Sequence, residues 1–90
     1  MDRRYHLTKE IIFIKLRVPK SEAGHIQFLL EANDNLCICS TRPGENDLAF
    51  RHLELRAPIE WSDELRRFIG VLEKRIPVSI VEDRILVDET

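Results

Sequence analysis

The stretch Glu10-Ile11-Ile12-Phe13-Ile14-Lys15-Leu16-Arg17-Val18-Pro19 decides how the chain is read. Ile12, Ile14, Leu16 and Val18 recur at every second position, while Phe13, Lys15 and Arg17 occupy the positions between. A period of two is that of a strand with one face buried, and the many β-branched side chains suit a pleated surface. Pro19 has no N–H for a ladder and ends the strand. The segment before it, residues 1–9, is polar and reads as a loose arm.

Working outward, Ser21 is placed as an N-cap, with Glu22 at the positive end of a first helix. Ala23, Ile26, Leu29, Leu30 and Asn33 follow helical spacing, and Asn33-Asp34-Asn35 is a helix exit. Leu36–Thr41 reads as a second strand, with Leu36, Ile38 and Ser40 on one face and Cys37, Cys39 and Thr41 on the other. The run Arg42-Pro43-Gly44-Glu45-Asn46-Asp47 signals a turn. Leu48–Ala57 follows as a third strand, making a hairpin. Its apolar phase slips between Leu48/Phe50 and Leu53/Leu55, which predicts a β-bulge near Arg51–His52. After Pro58, Ser62-Asp63-Glu64 opens a second helix. Trp61, Leu65, Phe68, Ile69, Leu72 and Ile76 make its apolar stripe, with Arg66, Arg67, Glu73 and Lys74 on the polar side. Pro77 closes it. Val78, Ile80 and Val81 start a last strand, and Glu82-Asp83 reads either as a turn or as its continuation into Ile85-Leu86-Val87.

The order is β-α-β-β-α-β. Two such split units pack as a four-stranded antiparallel sheet with both helices on one face, the ferredoxin-like α+β sandwich. The other face then carries Phe13, Lys15 and Arg17, and alternation alone leaves open whether the Cys37/Cys39 pair lies there or on the helix side. Ninety residues with 43% hydrophobic and 33% charged side chains suffice for one domain with its own core, residues 1–90.

Fourteen basic against sixteen acidic residues give a net charge of −2, so no overall field favours nucleic acid or an anionic membrane. The N-terminus has no apolar run fit for a signal peptide, and Ile11–Ile14 is too short to span a bilayer. Cys37 and Cys39, at i and i+2 of a strand, have poor geometry for a disulfide. Together these features predict a cytoplasmic protein.

The order of elements, the glycine in Val18-Pro19-Lys20-Ser21-Glu22-Ala23-Gly24-His25-Ile26 and the segment Phe28-Leu29-Leu30-Glu31-Ala32-Asn33-Asp34-Asn35-Leu36 resemble the ACT-like group of ferredoxin-like domains. They are similar in particular to a family of short bacterial proteins placed near that group. The resemblance implies a regulatory or binding module, not an enzyme, that pairs side by side as a homodimer and senses a small molecule such as an amino acid. It supplies no catalytic residues and no cofactor.

The chemistry of several side chains marks them as candidate site residues. Helix-start N–H groups near Gly24 and His25 attract carboxylates, and Asn33, Asp34 and Asn35 offer acceptors to an ammonium group; a plain helix start and exit is the competing reading. Cys37 and Cys39, with His52 approaching across the hairpin, fall short of a four-ligand metal site, and buried strand residues are the preferred reading. Trp61 is either an interface anchor or a lid on the core. Arg66 and Arg67 read as a solvated helix face. An RNA-binding sheet would show exposed aromatics in basic surroundings. Leu48–Leu53 has one aromatic, so RNA binding is not expected. Glu31, Asp34, His52 and Glu54 could serve acid–base catalysis, but no spacing joins them.

Overall fold

The computed structural model describes residues 8–32, 37–44 and 47–89, with side chains for 10–32, 37–42 and 49–87. The strands are β1 (Thr8–Pro19), β2 (Ile38–Gly44), β3 (Asp47–Pro58) and β4 (Ser79–Glu89). The helices are α1 (Lys20–Ala32), between β1 and β2, and α2 (Ser62–Glu73), between β3 and β4 and preceded by a 3-10 turn at Ile59–Trp61. The sheet is antiparallel throughout, in the order β2-β3-β1-β4. This is the ferredoxin-like α+β arrangement that the alternation of β1 and the element order predict.

The even-numbered face of β1 makes the core. Ile12, Ile14, Leu16 and Val18 pack with Leu53, Leu55 and Ala57 of β3, with Ala23, Ile26 and Leu30 of α1, and with Leu65, Ile69 and Leu72 of α2. Both helices therefore cover the same face. Leu65, Phe68, Ile69 and Leu72 of the α2 stripe are used as their spacing predicts, but the helix ends at Glu73 and not at Pro77, so that Ile76 packs half-buried from the turn beyond it. Trp61 stands exposed at the helix entrance.

Several expectations change. Pro19 pairs with Phe50 as the last residue of β1, and α1 begins directly at Lys20, so Ser21 lies inside the helix and not at its cap. β1 also extends back to Thr8, taking in the end of the supposed arm; residues 1–7 lie outside the described residues. The bulge expected near Arg51–His52 shows against β2, where the register jumps beside Arg51 from Pro43↔Arg51 to Gly44↔Asp47. β1 and β3 stay in unbroken register from Ile11↔Pro58 to Pro19↔Phe50. Phe50 breaks the apolar phase because it belongs to the face away from the helices, where it meets Arg17. The register also shifts between Lys15 and Leu16 against β4, where Val81 is the extra residue. β4 is one continuous strand through Glu82-Asp83.

Asp83 explains why a charge is tolerated there. It pairs with Ile14 and so faces the helix layer. Arg66 of α2 donates to both of its oxygens, Nη2 to Oδ1 at 2.9 Å. Arg66 is thus a clamp between α2 and β4, while Arg67 remains on the solvated face. Hydrogen bonds from Arg66, opposed by partial burial, hold the Asp83 carboxyl below the ordinary range. A carboxyl depressed in the folded state contributes stability above its unfolded pKa of about 4 and loses it as pH falls through the folded value. Both partners are partly solvated, so the contribution stays under about 1 kcal/mol. Asp83→Asn is expected to lower unfolding stability by that amount at pH 7. The difference from wild type should vanish in acid, as urea melts across pH 2–7 would show.

Candidate functional site

Gly24 and His25 are both exposed on α1. Gly24 is the fifth residue of the helix, so its N–H has an intrahelical acceptor in the carbonyl of Lys20, and the donors left open by helix geometry belong to residues 20–22. A Cβ placed on Gly24 meets nothing within 4 Å. Gly24→Ala is therefore expected to raise stability by about 0.5–1 kcal/mol, measurable as a higher melting temperature. Asn33, Asp34 and Asn35 lie outside the described residues.

Cys37, just before β2, and Cys39, opposite Leu55 on the helix side of β2, are buried free thiols within the core. They do not share the open face, as the alternation of the sequence had allowed. His52 pairs with Arg17 and Arg42, whose positions belong to that open face, so the sheet separates it from the thiols. Burial pushes the Cys37 thiol up to about 11, helped by the nearby Glu31 charge. Burial, then Cys37, then Glu31 push Cys39 up to about 12. Thiolates react and thiols do not. Iodoacetamide at pH 8 is expected to label neither cysteine in the folded chain and both in urea. Above these thiols, Thr41 Oγ1 donates to Gln27 Oε1, and Gln27 Nε2 donates to Glu31 at 3.3 Å, tying β2 to α1. The sheet also separates Glu31 from His52 and Glu54. Among the described residues, no three His, Cys, Asp or Glu side chains gather as a metal site.

The face away from the helices is built in rows. Phe13 lies between Arg56 of β3 and Arg84 of β4, with their guanidinium carbons 4.9 and 5.3 Å from the ring centroid. Phe13 is only 4% exposed although its position lies on the face away from both described helices. In the next row Lys15 lies between Glu54 and Glu82, at 3.9 and 3.5 Å. Glu54 also meets Arg42 at 3.4 Å and Arg56 at 3.5 Å, and Glu82 meets Arg84 at 2.8 Å. One row further, Arg17 lies over the Phe50 ring at 3.6 Å. The sequence located Phe13, Lys15 and Arg17 on this face. It gave no sign of the partners, because cross-strand register is not a local property.

The sheet edges differ. β2 has seven residues, including Arg42 and Pro43, and a register shift near its end; these features protect an edge. β4 has eleven residues with neither proline nor glycine. Ile80, Val81, Ile85 and Val87 on it are all exposed, half of the large apolar side chains exposed among the described residues. Ile85–Leu86–Val87 was the sequence signal, but its placement at an outer edge required the sheet order.

Comparison with known proteins returns no matching family model, curated sequence or solved structure. No helix among the described residues is long and apolar enough to cross a membrane.

Proposed function

We propose that this chain is a non-catalytic, ACT-like binding module that pairs with a second copy of itself along β4 and takes a small metabolite such as an amino acid. The observation that carries this reading is the open β4 edge. Among the described residues no strand neighbours its outward N–H and C=O groups, and exposed Ile85 and Val87 flank them. A second antiparallel β4 satisfies those groups by strand addition. A two-fold axis perpendicular to the sheet keeps the helices of both copies on one side and makes the contact isologous.

Charge selects a register. With Glu82 opposite Arg84 of the partner subunit, two cross-strand pairs of opposite sign form, each supporting the ladder. The same register brings the two Asp83 carboxylates opposite one another, each already neutralised by its own Arg66. It also sets Ile85 against Val81, apolar against apolar. The buried thiols of Cys37 and Cys39 support a cytoplasmic setting.

The metabolite half of the proposal is tested by thermal unfolding against a panel of amino acids. A ligand at 100 times its Kd adds about 2.7 kcal/mol, which raises Tm by roughly 10 °C or more in a domain of this size. A selective rise with one amino acid supports a sensor. A panel without effect removes the metabolite and leaves self-association, which sedimentation velocity over a hundredfold concentration range reads separately.

A further inference from the structure

We infer that the open sheet face binds single-stranded nucleic acid through its cross-strand arginines. The net charge of −2 conceals how charge is distributed. Among the described side chains this face holds Lys15, Arg17, Arg42, Arg56 and Arg84 against only Glu54 and Glu82. The two carboxylates are shared by Lys15, Arg42, Arg56 and Arg84, so those four cations alone leave a positive surplus of two. A second copy stacked on this face would bring surplus to surplus and be repelled. An anionic partner is attracted.

The form of the cations points to a nucleic acid among anionic partners. Arg56, Arg84 and Arg17 lie over phenylalanine rings, which holds each guanidinium against the sheet. Guanidinium planes serve as stacking surfaces for unstacked bases, and their N–H groups fit phosphate oxygens. The face thus offers planar cations where an RNA-binding sheet of similar topology offers bare aromatic rings. Phe13 is covered, so its role is to support the arginines from below. An acidic peptide would use the charge but not the planes. Arg42 extends the cationic surface to β2, and its side chain is well exposed.

The test is fluorescence anisotropy of a labelled 12-nucleotide single-stranded RNA of mixed sequence, titrated with the intact protein at 50, 100 and 200 mM salt. Neutralising roughly three phosphates predicts a log–log salt slope of about −2. The Arg42→Gln/Arg84→Gln protein should bind at least tenfold more weakly at 50 mM salt with a shallower slope. Phe28→Ala, on the helix side, serves as a folded control and should bind as wild type. Polyglutamate of equal charge should compete poorly. The inference is overturned by three results: no binding at 50 mM salt, an unchanged affinity in the double variant while its melting curve stays cooperative, or competition by polyglutamate equal to that of unlabelled RNA.

Discussion

Phe13→Ala is expected to destabilise the fold by about 3–5 kcal/mol, the range for removing a fully packed phenylalanine. Such a loss corresponds to a fall in Tm of more than about 12 °C for a domain of this size. The prediction is specific because Phe13 is on the wrong side of the sheet for a core residue. Arg56 and Arg84 on the two neighbouring strands hold their guanidinium groups over the ring. Truncation removes the ring and the cation–π contacts together, and leaves two arginines beside a gap. Phe28, 65% exposed on α1, is the control, and Phe28→Ala should change stability by no more than about 0.5 kcal/mol. Urea unfolding of both variants decides it. Equal, small effects would mean that the arginines do not seal the ring in solution.

Leu16→Ala should be as damaging, at about 2–5 kcal/mol, for the ordinary reason. Leu16 is completely buried at the centre of β1, paired with Leu53 on one side and Ile80 on the other. It sits at the register shift against β4, where the extra Val81 already disturbs the ladder. Cavity formation there should loosen β4 as well as the core. Leu16→Met keeps the volume and should cost less than about 1.5 kcal/mol. A small loss in the alanine variant would show that α1 and α2 settle into the space, contrary to a core held by two helices and a sheet.

What could be read in the sequence was the part governed by local periodicity. The two-residue alternation of β1 and the Leu65–Ile69–Leu72 stripe of α2 determine which faces are buried, and the structure buries those faces. The element order then left few ways to pair the strands. What could not be read was register. Phe50 looked like a phase error within β3 because its partner, Arg17, lies on a different strand. Alternation puts Cys37 and Cys39 on one face together but does not say which face turns to the helices. Ser21 failed as a cap because the chain passes directly from Pro19 into α1. Of the candidate ligand residues, Gly24 and His25 are exposed on α1, while Asn33, Asp34 and Asn35 lie outside the described residues. The surfaces with the most developed chemistry, the arginine rows and the β4 edge, depend on β1 lying between β3 and β4.

Edge pairing is tested most directly by amide hydrogen exchange along β4 at low and high protein concentration. In an edge strand, alternate N–H groups point away from the sheet and exchange freely, while those bonded to β1 are protected. Self-association through β4 predicts that the outward amides between Val81 and Val87 become protected as concentration rises, while the outward amides of β2 do not. The protection should be lost in Ile85→Lys/Val87→Lys. Outward β4 amides that exchange freely at every concentration would contradict the account.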